Sequence, residues 1–66
     1  MRIEVNGEGR EVPEGLHVAA LIEHLQLNPG RVAIERNLEI LPRAAWAATR
    51  VAPGDRFEIV HFVGGG

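Results

Sequence analysis

One apolar stripe at helical spacing decides most of the architecture. Val18, Leu21, Ile22 and Leu25 fall at i, i+3, i+4 and i+7 and share one helix face, with Glu23, His24 and Gln26 on the solvent side. The start is weakly specified, because His17 stands where Ser, Thr, Asp or Asn would cap best. The expected stop is Asn28-Pro29-Gly30, which cannot continue a helix. A helix of about ten residues is marginal in water by itself, so a sheet must hold it.

The rest of the chain supplies that sheet. Met1, Ile3 and Val5 alternate with Arg2, Glu4 and Asn6, a period of two with one buried face. Asn6-Gly7 is a hairpin turn, since both residues tolerate positive φ. Gly9 to Val12 forms the return strand with Val12 inward, and Pro13-Glu14-Gly15 closes it. Beyond the helix, Val32-Ala33-Ile34 makes a third strand with Val32 and Ile34 inward. Arg36-Asn37 turns the chain, and Leu38 to Leu41 makes a fourth strand that Pro42 ends. Pro42 to Ala48 suits a helical turn or two, with Trp46 as a partial core anchor. Ala52-Pro53-Gly54-Asp55 fits a type II turn, and the final strand starts at Arg56. The order is β-β-α-β-β-(helical turn)-β. With the long first and last strands paired in parallel at the centre, this is an α+β β-grasp: a mixed sheet of about five strands packed on one helix. Residues 1–63 form the body and 64–66 a flexible glycine tail.

Composition narrows the function. A 66-residue chain lies near the lower limit for folding on one core, and without cysteine it has no disulfide or thiolate metal site. Apolar residues at 45% make folding on packing alone feasible. A net charge of −2 does not suggest a nucleic-acid surface or a membrane-surface helix. With no leader and no long apolar run, the expected location is the cytoplasm. No metal is expected, because His17, His24 and His61 lack ligand spacing. Glu35 and Glu39 flank a turn and read as a solvated hairpin. The chain has no serine for a hydrolytic triad and no glycine loop opening a helix to cradle phosphate. No catalytic residue is expected.

The last strand carries the functional signal. Phe57, Ile59 and His61 share one face, and Glu58, Val60 and Phe62 the other. The helix covers one face only, and Phe57 and Ile59 are the better core pair. Val60 and Phe62 therefore read as a partner-docking patch, unless the loop carrying Trp46 folds over them. Gly64-Gly65-Gly66 follow at once, and Gly66 is expected to end the chain with a free carboxylate. The four residues beyond Phe62 reach about 13 Å when extended. Glycines can thread a channel too narrow for any Cβ, at an ordering cost of roughly 1–2 kcal/mol per residue that the patch must offset. A terminal carboxylate can be activated as a mixed anhydride and then attacked, with the activating chemistry supplied by a partner. All seven basic residues are arginine. Two readings of this stay open: compositional bias, or protection of an activated carboxyl from the chain's own amines.

These features together resemble a known family. The Glu35-Arg36-Asn37-Leu38-Glu39-Ile40 hairpin, Pro42-Arg43 with Trp46, Gly54-Asp55 and the ending Glu58-Ile59-Val60-His61-Phe62-Val63-Gly64-Gly65-Gly66 are similar, over essentially the whole chain, to the ThiS sulfur carriers of thiamin (thiazole) biosynthesis. These belong to the ubiquitin-like β-grasp superfamily. The resemblance implies a protein co-substrate rather than an enzyme. An E1-like (ThiF-like) adenylyltransferase would use ATP and Mg to adenylate Gly66, and a sulfur donor system would convert the adenylate to a thiocarboxylate. Thiazole synthase (ThiG-like) would take the sulfur, with Gly64 and Gly65 as the threading tail. The Gly-Gly ending is shared with carriers for molybdopterin synthesis and tRNA thiolation and with ubiquitin-like protein modifiers. A small β-grasp binding module, such as an RNA-contacting domain, fits the acidic balance poorly.

Overall fold

The computed structural model of the chain describes residues 1–62. Strand β1 (Arg2–Val5) and strand β2 (Glu8–Glu11) form the first hairpin. Asn6 and Gly7 join them with φ of 51° and 83°, the type I′ geometry whose twist matches that of the strands. Helix α1 (Val18–His24) follows, then a 3₁₀ turn (Pro29–Arg31). Strand β3 (Val32–Arg36) and strand β4 (Glu39–Leu41) form the second hairpin. A 3₁₀ helix (Arg43–Ala48) leads back to strand β5 (Arg56–His61).

The sheet order is β2-β1-β5-β3-β4, with β5 parallel to β1 and antiparallel to β3. This is the expected β-grasp, and β5, the last strand in sequence, lies at its centre. Ile3, Val5, Val32, Ile34, Phe57 and Ile59 point to one face and are buried there against Val18, Leu21 and Ile22 of α1. Burying such side chains contributes about 1.5–3 kcal/mol each, which is how a helix this short is held.

α1 ends earlier than the sequence suggests. Gln26 takes a φ of 60°, its amide donates to the Glu23 carbonyl, and the Leu27 amide donates to Ile22 at 3.1 Å. This pair of bonds is the Schellman stop, here with glutamine where glycine is usual. Leu27 packs on the core and completes it. Asn28-Pro29-Gly30 makes a separate 3₁₀ turn, capped by the Asn28 side chain on the Gly30 amide. His17, at the N-cap, makes no side-chain cap bond. The second hairpin is also shifted: Arg36 lies within β3, and the turn is Asn37-Leu38 rather than Arg36-Asn37.

Candidate functional site

The face of the sheet away from α1 is built by period-two alternation. On β5, Phe57 and Ile59 turn inward, so Glu58 and Val60 turn out. Register then sets their neighbours: Ala33 lies opposite Val60 and Glu35 opposite Glu58, while Glu35 is also paired with Ile40 of β4. Both expected docking residues are open, Val60 at 58% and Phe62 at 53% exposure. Trp46 does not cover them. It is buried in the core, and its Nε1 donates to the Leu41 carbonyl at 3.1 Å. The Arg43 guanidinium stacks on its ring at 4.9 Å and also donates to the Pro29 and Val32 carbonyls.

Phe62 lies just past β5 yet remains tied to the sheet, its amide donating to the Arg31 carbonyl at 2.8 Å. Phe62 thus lies beside the start of β3, at the same end of β5 as the exposed Val60. Val63, Gly64, Gly65 and Gly66 lie outside the described residues.

The structure adds two exposed apolar residues to the same face. Ile40 is 81% exposed, and its outward aim follows from Leu41, which pairs with Ile34 and packs on the core. That alternation is legible in Leu38 to Leu41 once a single inward residue is fixed. Leu38, at the tip of the second hairpin, is 87% exposed with a φ of 71°.

The tip is held by a polar cluster that no sequence motif marks. Asn37 exchanges two bonds with Arg56: its amide donates to the Arg56 carbonyl at 2.8 Å, and its Oδ1 accepts from the Arg56 amide at 3.0 Å. Its Nδ2 donates to Asp55 Oδ1 at 3.2 Å. Arg36 Nε donates to Asp55 Oδ2 at 3.0 Å, and the Ala52 amide to the same oxygen at 2.8 Å. Burial by itself would raise the Asp55 pKa. The Ala52 amide, the Asn37 amide and the Arg36 guanidinium outweigh it, so the carboxyl sits below its ordinary value. The cluster is therefore an anionic clamp holding the hairpin tip to the turn before β5.

The three histidines are exposed and on separate elements: His17 before α1, His24 in its last turn and His61 on β5. Among the described residues no group of three His, Cys, Asp or Glu side chains could hold a metal ion. No helix of the described residues is long and apolar enough to cross a membrane.

Known proteins share this arrangement. The family model described as the ThiS family matches residues 3–66. A thiazole synthase from Paramagnetospirillum magneticum is 44% identical over 66 residues, which is 100% of this chain and 20% of that protein. A thiazole synthase from Magnetococcus marinus is 36% identical with the same coverage, so the chain spans about a fifth of the length of these two relatives. The uncharacterized protein ycf40 of Porphyra purpurea is 38% identical over 64 residues, 97% of this chain and 90% of that one. Among solved structures, the thiamine biosynthesis protein ThiS of Geobacter metallireducens superposes with a TM-score of 0.86 at 39% identity, covering 100% of both chains.

Proposed function

The chain belongs to the ThiS family, and on that premise we propose that it is a sulfur carrier for thiazole formation in thiamin biosynthesis. It acts as a protein co-substrate, and its reacting group is the carboxylate of Gly66. An E1-like adenylyltransferase, using ATP and Mg, joins a carboxylate oxygen to the α-phosphorus and releases pyrophosphate. Hydrosulfide-level sulfur attacks the acyl carbon and expels AMP, leaving a thiocarboxylate; a persulfide donor would give an acyl disulfide first, whose S–S bond a second thiol of the donor system cleaves, ending as a disulfide with the donor thiol. Thiazole synthase consumes that sulfur. The acyl-adenylate hydrolyses readily in water, so the glycine tail must thread a partner site that excludes it.

The observation that carries this reading is the end-to-end superposition on the Geobacter metallireducens ThiS protein. It is supported by the exposed Val60 and Phe62 beside the point where the tail departs. The thiazole synthases that contain a similar segment support the choice of acceptor over molybdopterin synthesis or tRNA thiolation.

Mass spectrometry of the protein isolated from its own cells tests the proposal. The expected species carries one sulfur in place of one oxygen on the C-terminal peptide. Conjugates of higher mass, joined through Gly66 to other proteins, would instead indicate a protein modifier. Appending one residue after Gly66 is expected to abolish ATP–pyrophosphate exchange with the adenylating enzyme while the fold persists. Replacing Gly65 with Val is expected to block threading, and normal turnover in that variant would show that the channel is not narrow.

A further inference from the structure

Three features of the open face make the isolated chain less comfortable than its fold requires. The first is Leu38. Both hairpins use the same two-residue type I′ turn, with Asn at its first position. The first hairpin has Gly7 at the second position, as the left-handed backbone favours. The second has Leu38 there, at φ 71° and almost wholly exposed, so the strain is not offset by burial. The second feature is Glu35 directly opposite Glu58 on adjacent antiparallel strands. Like charges in that register repel, and neither carboxylate has an ion-pair partner among the described residues. Glu4, their neighbour on this face, is instead paired with Arg56. The third is the exposed apolar set of Ile40, Val60 and Phe62.

These features are contiguous. Glu58 separates two shallow depressions, one lined by Leu38, Gly7 and Arg56, the other by Ala33, Ile40 and Val60. Asn37 and Asp55 fix the tip, so Leu38 is presented in one position and little freedom is lost when it docks. A partner that buries Leu38 and Ile40 and places a guanidinium between Glu35 and Glu58 would relieve the repulsion. The planar fork of arginine suits two facing carboxylates.

We infer that Leu38, Ile40 and the Glu35–Glu58 pair form the recognition face for thiazole synthase, which meets it with an apolar recess bordered by an arginine. This rests on the carrier reading above, from which the acceptor is taken. The chemistry of the occupant comes from the face itself: two uncompensated carboxylates framed by apolar side chains fit a cationic group set among apolar ones.

The test is titration calorimetry with purified thiazole synthase from the same organism, alongside thermal melts. Leu38→Gly removes the anchor and relieves the backbone, so the melting temperature is expected to hold or rise while affinity falls about tenfold or more. Leu38→Asn, which tolerates the same φ, is expected to lose affinity likewise. Glu35→Gln with Glu58→Gln is expected to weaken binding and flatten its dependence on salt. Affinity within twofold of the unaltered chain for both Leu38 variants would overturn the inference while leaving the carrier reading intact. Loss of affinity only for the adenylating enzyme would overturn it too, by reassigning the face. If the unaltered chain does not bind thiazole synthase at all, the carrier reading fails and the inference falls with it.

Discussion

The side chain of Asn6 grips both backbone groups of Ile59. Its Oδ1 accepts from the Ile59 amide at 2.7 Å, and its Nδ2 donates to the Ile59 carbonyl at 3.1 Å. The parallel ladder between β1 and β5 comprises two residue pairs, Glu4 with Arg56 and Val5 with Phe57. Asn6 lengthens it by imitating a peptide group while its own backbone turns left-handed at φ 51°. Asn37 holds the other flank with a mixed pair: its backbone amide donates to the Arg56 carbonyl, and its side-chain Oδ1 accepts from the Arg56 amide. Each hairpin thus fastens itself to the central strand through the asparagine of its turn.

Replacing Asn6 separates its two roles. Asn6→Gly keeps the turn and loses the two bonds, so urea denaturation is expected to show a loss of about 1–2 kcal/mol. Asn6→Ala loses the bonds and leaves at positive φ a side chain without the polar group that lets asparagine tolerate that backbone, with about 1 kcal/mol more expected. Equal losses in the two variants would mean that the backbone conformation contributes nothing.

Asp55 makes stability depend on acid. Its folded pKa lies below the unfolded value, so its contribution is complete once the pH is above the unfolded value. That contribution shrinks as pH falls through the unfolded and then the folded value, because protonation discards the bonds from Ala52, Arg36 and Asn37. Denaturation curves from neutral pH into acid are expected to show the loss. Asp55→Asn, which cannot ionise, is expected to be less stable at neutral pH and to lack this part of the acid dependence.

Phe62 is half exposed and stands outside the core cluster. Phe62→Ser is expected to shift unfolding free energy by no more than about 0.5 kcal/mol, as for other surface changes, while weakening binding to the partner enzymes. A large fall in melting temperature would mean that the side chain packs more than its exposure indicates.

The absence of lysine is testable at Arg56, an exposed side chain on β5. Arg56→Lys retains a cation beside Glu4, 3.1 Å from Arg56 Nε in the unaltered chain. Six strand residues put this position about 20 Å from Phe62, beyond the roughly 13 Å reach of the tail, so with the adenylating enzyme and ATP but no sulfur donor this variant is expected to accumulate product linked between molecules that the unaltered chain does not. If none forms, compositional bias alone accounts for the seven arginines.

Much of this was legible in the sequence. The stripe Val18-Leu21-Ile22, the alternation at Ile3-Val5 and Phe57-Ile59, and the Asn6-Gly7 and Pro53-Gly54 turns each express a local preference that the tertiary fold also needs, and together they give the β-grasp. The exposure of Val60 and Phe62 followed from alternation. What was hidden lay where tertiary contacts override local preference. Gln26 stops the helix because Leu27 gains a place on the core, and glutamine gives no sign of this. Leu38 reads as a strand residue, so its left-handed turn, and with it the shift of the hairpin by one residue, was invisible. Asp55 reads as the end of a turn, and its role as a clamp requires Arg36 and Asn37, which are distant in sequence.

The strand order has a kinetic consequence. The two hairpins share no ladder with each other, and each is joined to the sheet only through β5. During synthesis both can close early, but neither finds a lasting neighbour until residues 56–61 arrive between them. Completion of the sheet must therefore wait for β5, the strand that both hairpins need as their common neighbour.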